Sequence, residues 1–472
     1  MVIRAEPIAP FEYQLSDDTG RRPAHVFADV ELLAAISHDH SLQQLLNVTA
    51  LPGVYGPVFG MPDMHEGYGF PVGGVAATAL PDGAISPGGI GFDINCGVRL
   101  LATDLDRAGF EPMRERVVHE ISRAIPSGYG RGGRLVLDAD VLARVLERGC
   151  HELVEKLGAG TRDDLDVIEA GGALAGADPS AVSDRAIARG RDQLGTLGGG
   201  NHFLEIDVVD TVFDDAAADR LGLHPQQITV LIHTGSRGLG HQVCTDYLRV
   251  MDEAQERYGI ELPDRQLACT PLSSPEGKRY LAAMRAAANF AFANRQLIAH
   301  RVREVFARLF GTRQALRLVY DVGHNTAKLE RHGARELCVH RKGATRAFGP
   351  SSLELPVRYR GLGQPVFIPG SMGTASYVLL GTDEAEARSF ASVCHGAGRV
   401  LSRGAAKRQV TGHELRKSLE QRGITVRCPS NTELAEEAPE AYKDIDRVVD
   451  VVAGAGLARK IARLIPIGVV KG

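Results

Sequence analysis

Apolar positions along this chain change period several times, and the changes divide it into strands and helices. Gly73-Gly74-Val75-Ala76-Ala77-Thr78 and Val98-Arg99-Leu100-Leu101-Ala102-Thr103 are short apolar runs bounded by turn residues, which makes the first hundred residues strand-rich. Residues 106–195 shift to helical spacing, with polar loops around Ser127 to Gly133 and Gly158 to Asp164. Strand-like runs return at Phe203 to Val209, Thr229 to His233 and Leu316 to Val322. From Lys278 to Phe310, Leu281, Met284, Ala288, Phe292, Ile298, Val302, Val305 and Leu309 recur at helical spacing among arginines, which predicts one long amphipathic helix with its stripe in the core. Strands alternating with helices make the fold mixed α/β, with active-site loops at strand ends.

With 472 residues, 24% of them charged, the chain can bury a large core. No low-complexity linker or fixed-period repeat divides it, so the reading is a single domain over residues 1–472. The N-terminal residues lack the apolar core of a signal peptide and no run of about 18 apolar residues could span a bilayer, which predicts a cytoplasmic protein without membrane contact. Seven scattered cysteines without a Cys-x-x-Cys pair argue against a disulfide framework and against a zinc finger. A net charge of −4 does not announce a nucleic-acid binder. It conceals a basic stretch from Arg399 to Arg427 followed by an acidic run from Glu433 to Asp446, which is either a local basic surface or a solvated helix face.

Histidines and one cysteine in short Gly-rich phrases change this picture. Asp93 and Cys96, three residues apart between Gly91 and Gly97, can point a carboxylate and a thiol at one ion. His202, His233 and His324 each follow a glycine turn or a strand-like run. One such histidine alone would be structural, and an isolated cysteine is usually a small hydrophobe. Repetition of the setting points to a ligand set for a borderline divalent metal, Zn²⁺, Mn²⁺, Fe²⁺ or Co²⁺. With Cys96 shared, five donors suffice for two ions, a geometry suited to phosphoryl chemistry. His65, in Pro62-Asp63-Met64-His65, reads as part of a structural turn before a ligand, and HExxH is absent.

Pro365 to Ile368 reads as a strand that runs into the turn Pro369-Gly370-Ser371-Met372-Gly373-Thr374-Ala375-Ser376 and then a helix, a turn suited to phosphate or ribose oxygens. In Cys394-His395-Gly396-Ala397-Gly398-Arg399 an imidazole stands beside a flexible loop. If the ends of Phe390 to Arg403 are helical, Arg399 lies one turn from His395 and shares an anion with it. A neutral imidazole can attack an α-phosphate, and neither a Walker A pattern nor a Lys-x-Asp-Gly phrase offers another nucleophile motif.

Together with Met61-Pro62-Asp63-Met64-His65-Glu66-Gly67-Tyr68-Gly69-Phe70-Pro71, Ser86 to Gly97, His233 to Gln242, His340 to Phe348 and Pro466 to Gly472, these phrases resemble the RtcB family of GTP- and manganese-dependent RNA ligases, from about Gly53 to Gly472. The resemblance implies joining of an RNA 3′-phosphate or 2′,3′-cyclic phosphate to a 5′-hydroxyl, in tRNA splicing or RNA repair. It implies two Mn²⁺ ions on Asp93, Cys96, His202, His233 and His324, with Cys96 between them, and His395 as the residue that takes GMP from GTP and passes it to the RNA 3′ end. It implies a guanylate site of Asn201, Glu205, Ser371, Ser376, Ala397, Gly398 and Lys471, with Tyr442 on the base face, extended by His202, Phe203, Leu204, His324, Asn325, Pro369, Gly370, Met372 and Gly396. The partners it implies are tRNA halves or broken RNA ends and an archease-type activator. Arg237, Arg341, Arg346 and Arg403 are candidate RNA contacts. A metal-dependent phosphatase or cyclic phosphodiesterase, which would need the metal cluster and not His395, is the alternative. The chain departs from the family pattern at Gly199 and Gly323, where relatives often carry serine, and at Thr326, where an aliphatic residue is common.

Overall fold

The computed structural model describes residues 2–130, 132–133, 135–312 and 316–472, and all structural statements concern these. Two large sheets carry the mixed α/β fold. One has seven strands in the order Arg4–Ala9, Glu12–Ser16, Ala24–Phe27, Val58–His65, Val72–Ala79, Arg335–Lys342, Asn325–His332. The other runs Arg317–Gly323, Gly97–Asp106, Gln227–Thr234, Phe203–Val212, Ala458–Lys471, Ser376–Gly381, Pro365–Ile368, with Thr425–Arg427 parallel to Ala458–Lys471. The apolar runs at Gly73 to Thr78, Val98 to Thr103, Phe203 to Val209 and Thr229 to His233 lie within these strands, and Pro365–Ile368 has the bounds the pattern gave. Helices fill much of residues 106–195, and the loop read around Ser127 to Gly133 includes Arg131, outside the described residues. No helix among the described residues is long and apolar enough to cross a membrane.

Two expectations fail. Thr374 and Ala375 lead into a strand, Ser376–Gly381, and not a helix, because Tyr377, Val378, Leu379 and Leu380 fit between the strands Pro365–Ile368 and Ala458–Lys471. The stretch Phe390 to Arg403 is not helical on both sides of His395. Ser392–Cys394 forms a strand paired to Ala344–Arg346, and a helix begins only at Arg403.

The long helix spans Pro275–Phe310 and starts at a Ser274 cap. It also carries buried Asn289, Asn294, Arg295 and Gln296, which serve the scaffold beneath the candidate site. Arg295 and Arg99 both clamp the buried Asp321, at 2.8 Å and 2.6 Å. Arg295 also donates to the carbonyls of Asn95 (2.8 Å) and Thr234 (2.9 Å), tying the loop after Asp93 to the end of the neighbouring strand. Asp321→Asn would leave two buried guanidinium groups without a compensating charge, so the variant is expected to lose about 3–5 kcal/mol of stability, read as a lowered urea midpoint.

Candidate active site

Strand register assembles the candidate site. In the eight-stranded sheet Gly97 lies opposite both Gly323 and Thr234, and Phe203 lies opposite both His233 and Lys471. Cys96 and His324 flank the first pair, and His202 precedes Phe203, so residues from five strands meet along one edge. His324 is the single residue between Arg317–Gly323 of one sheet and Asn325–His332 of the other, which sets the cluster where the two sheets meet.

Asp93 and Cys96 close a tight turn, the Cys96 N–H donating to the Asp93 carbonyl at 3.0 Å. Asn95 within it has φ +52°, a left-handed conformation that asparagine tolerates, and its side chain donates to the Ala288 carbonyl at 2.9 Å. His202 Nε2 lies 2.7 Å from Asp93 Oδ2 and 3.4 Å from Cys96 Sγ, while His233 Nε2 lies 3.3 Å from both Cys96 Sγ and His324 Nε2. Two triads, Asp93/Cys96/His202 and Cys96/His233/His324, thus share one sulfur. His202 Nδ1 faces the Leu197 carbonyl at 3.0 Å, which turns Nε2 toward the cluster.

The electrostatics follow from burial and proximity. Burial alone would raise the Asp93 carboxyl, but the adjacent His202, Cys96 and Arg237 outweigh it and hold it down at about 2. Burial, reinforced by Asp93, pushes the Cys96 thiol well above its ordinary value. Burial and neighbouring cationic side chains hold His233 and His324 well below theirs, so both stay neutral with a lone pair to offer. All seven cysteines are free. Cys150, Cys244, Cys269 and Cys338 are buried, pushed up to about 12 by that burial, and behave as small hydrophobes.

Beside this cluster opens a cavity of about 480 Å³ lined by Asp93, Cys96, His233, His324, His395 and Lys471 among others. His395 Nδ1 lies 2.6 Å from Oδ2 of the buried Asp63, which also accepts the His395 and Gly396 backbone N–H groups at 3.0 and 3.3 Å. This fixes the ring with Nε2 free, 5.0 Å between its centroid and that of His324. Gly398, at φ +73°, lets the following loop lie on the Asp63 backbone, where a Cβ would collide with the carbonyl. His65, expected in a turn, ends the strand Val58–His65 and also lines the cavity, where burial and Lys443 hold it down to about 4.

Around the far part of the cavity, Lys471 Nζ sits 5.4 Å above the Phe203 ring, and Arg399 stacks 5.0 Å from the Tyr442 ring centroid. Arg399 pairs with Glu437 at 3.0 Å and does not stand one helix turn from His395, although both line the cavity. Glu437, which the sequence places in the acidic run and not at the site, is buried among Arg399, Arg403 and Tyr442. Asn201, Phe203, Asn325, Pro369, Gly370, Ser371, Met372, Gly396, Ala397 and Gly398 line the same cavity. Asn325 also supports the ligand loop, donating to the Asp93 carbonyl at 3.0 Å and accepting from Gly343 N–H at 2.7 Å. Glu205 and Ser376 are buried and are not among the residues lining the cavity; burial and then Asp207 push Glu205 well up, and Ser376 Oγ accepts at 3.2 Å from the N–H of Gly370, which does line it. Leu204 points the other way along its strand into the core, so only its backbone could touch a ligand.

The arginine candidates separate. Arg341 is buried and forked onto Glu330 at 2.7 and 2.8 Å, and Arg346 is buried against Glu169 at 2.9 Å, so neither is free to meet RNA. Arg237 is half-buried near Asp93 at φ +54°, and Arg403 is half exposed but paired with Glu437 at 3.2 Å. Lys407 bonds Glu436 at 2.8 Å, so the basic stretch is partly neutralised by the acidic run after it. A Cβ on Gly323 would run into the Asn95 carboxamide and one on Gly199 would meet the Tyr129 ring at 2.7 Å, while Thr326 is buried in a strand opposite Arg341.

The family model described as tRNA-splicing ligase RtcB matches residues 44–472. A tRNA-splicing ligase RtcB of Archaeoglobus fulgidus is 51% identical over 96% of this chain and 95% of its own length. One of Thermococcus kodakarensis is 51% identical over 97% and 96%, and an RNA-splicing ligase RtcB of Mycobacterium tuberculosis is 53% identical over 91% and 100%. By match and by coverage, this chain belongs to the RtcB ligase family.

Proposed function

We propose that this chain is an RNA ligase that uses GTP and two Mn²⁺ ions to join RNA 3′-phosphate or 2′,3′-cyclic phosphate ends to 5′-hydroxyl ends, with His395 as the guanylylated residue. The observation that carries the reading is a histidine locked by a buried carboxylate and opening on the same cavity as two donor triads that share one thiol. The donor set fits the metal: one carboxylate, one thiol and three imidazoles suit borderline divalent cations, and the converging Nε2 and Sγ atoms lie within 4.8 Å of one another in each triad. Asp93, Cys96 and His202 would hold one ion and Cys96, His233 and His324 the other. Bound there, divalent cations supply charge stabilisation to phosphoryl oxygens.

The residues of the chain do the rest. Asp63 accepts a hydrogen bond from His395 Nδ1–H and so presents Nε2 as the nucleophile. Nε2 forms a bond to the α-phosphorus of GTP as the bond to the pyrophosphate oxygen breaks. A 2′,3′-cyclic phosphate must first be opened by water, which breaks the P–O2′ bond and leaves a 3′-phosphate and a 2′-hydroxyl. An oxygen of the RNA 3′-phosphate then takes the GMP from His395, and attack of the 5′-hydroxyl on that RNA phosphorus forms the new phosphodiester and expels GMP. Phe203 and Tyr442 offer ring faces, and Glu205 and Lys471 an acceptor and a donor, for the guanine. We further infer tRNA halves or broken RNA ends as substrates, an archease-type activator as partner, the cytoplasm as location, and one domain over residues 1–472.

Incubation of the full chain with α-labelled GTP and Mn²⁺, followed by denaturing gel analysis, tests the reading. An acid-labile, base-stable label on the protein is expected. Bound metal without any label, with or without RNA, would instead assign the cluster to a phosphatase or cyclic phosphodiesterase.

A further inference from the structure

Next to Asp93 the cavity has a rim built of aromatic rings. Phe92 and His241 stack with centroids 4.8 Å apart at 25°, and Tyr68 meets Phe92 edge-on at 5.5 Å and 65°. Tyr68 and Phe92 line the cavity together with Asp93, Cys96 and His395. Tyr68 is 38% exposed, His241 is exposed and Phe92 is half-buried.

The rim is held firmly. The Tyr68 carbonyl accepts from the buried Lys342 ammonium at 2.7 Å, Gly69 N–H donates to Gln266 at 2.8 Å, and Gln44 brackets Gly67 through bonds of 2.9 and 2.6 Å. Phe92 packs against the core cluster that includes Ile94 and Leu239, and His241 stands on the first turns of the helix Arg237–Ala254, directly after the strand that carries His233. The exposed Arg189 bonds Gln242, the neighbour of His241, at 2.9 Å, so a cation lies beside the rings. Burial and Arg189 both hold His241 down, which favours its neutral, stackable form.

We infer that Tyr68, Phe92 and His241 form a stacking platform for the terminal nucleobase of an RNA end whose terminal phosphate or hydroxyl sits at the Asp93 side of the cavity. The inference rests on the ligase reading and adds a base-binding subsite separate from the Phe203 and Tyr442 rings. Aromatic rings on a rigid rim bind single-stranded ends through the π-face of any base, and an arginine at the margin suits the following phosphate. Because Phe92 adjoins Asp93 in the chain and lines the cavity with it, a base on the platform lies next to the donor cluster. The subsite would therefore lower KM for RNA without selecting sequence.

The test compares RNA pairs with intact ends against pairs whose terminal nucleotide is abasic, on the 5′-hydroxyl strand or on the 3′-phosphate strand, in ligation by wild type and by Tyr68→Ala/His241→Ala. In wild type, one of the two abasic ends is expected to raise KM by about tenfold to 100-fold with kcat little changed. The strand that shows the rise identifies which end the platform holds. In the double variant intact RNA is expected to show the raised KM, with no further penalty for the abasic end, and Tyr68→Phe/His241→Phe is expected to restore the wild-type pattern. A 2-aminopurine at the sensitive end should be quenched on binding wild type and brighter on the alanine variant. An abasic penalty of equal size in wild type and variant, or no penalty at either end, would overturn the platform and leave the ligase intact. A wild-type chain that joins no RNA ends would overturn the ligase reading, and the platform with it.

Discussion

His395→Ala is expected to accept no label from α-labelled GTP and to join no RNA ends, while still binding its full complement of Mn²⁺. The imidazole that would carry GMP is gone, yet none of the five donors at the cluster is touched, because His395 faces Asp63 through Nδ1 and opens to the cavity through Nε2. Asp63→Asn should give the intermediate result. An amide in place of the carboxylate can donate as well as accept, so it no longer enforces the Nδ1–H tautomer that leaves an Nε2 lone pair for the phosphorus. In serine proteases the equivalent aspartate-to-asparagine change drops turnover by about 10⁴-fold, and a fall on the order of 10³-fold or more in the labelling rate is expected here. Rapid quenching of the labelling reaction measures it, and a pre-guanylylated sample separates the step: once GMP is attached, transfer onward should depend on Asp63 less. Labelling at the wild-type rate in Asp63→Asn would show that the carboxylate only supports the loop. Label surviving in His395→Ala would move the nucleophile to another side chain.

Much of this arrangement was legible in the sequence. Asp93 and Cys96 are three residues apart in one turn, and His202, His233 and His324 each stand at a strand terminus, so local pattern alone marks them. What local pattern cannot supply is register. The convergence of the five donors depends on Gly97 pairing with Gly323 and Thr234, 226 and 137 positions away, and on Phe203 pairing with His233, 30 positions away. Asp63 shows the same limit: it stood in a conspicuous phrase, but its partner His395 is 332 positions away. Glu437 was hidden by its setting in an acidic run that reads as solvated surface, whereas in the fold it is buried under Arg399 and Arg403. Burial likewise removes Arg341 and Arg346 from the candidate RNA contacts, because Glu330 on the paired strand and Glu169 turn exposed-looking charges into internal ion pairs. The helix expected after the turn at Pro369 failed because a six-residue apolar run has no periodicity long enough to distinguish a helix from an inner strand.

Cys96→Ala is expected to have a larger effect on metal content than the loss of any single histidine, because its sulfur belongs to both donor triads. With Cys96 removed, one site is reduced to Asp93 and His202 and the other to His233 and His324, and two-donor sites bind divalent ions weakly. His202→Ala leaves the Cys96/His233/His324 triad whole, and His324→Ala leaves Asp93/Cys96/His202. Metal analysis after equilibrium dialysis should therefore read about two Mn²⁺ per chain for wild type, about one for either histidine variant and well under one for Cys96→Ala. Ligation should fall by more than the 10- to 100-fold that the loss of a mere outer partner of a ligand typically costs. The fold itself should persist, since Cys96 lies in a turn whose backbone bonds, from Cys96 N–H to Asp93 and from His324 N–H to the Cys96 carbonyl at 2.8 Å, do not use the sulfur. An unchanged thermal midpoint of the metal-free protein, together with lost metal, would separate ligand loss from misfolding. Retention of both ions in Cys96→Ala would mean that the sulfur is a neighbour of two independent sites, each completed by oxygen donors, and the shared-thiolate arrangement would have to be abandoned.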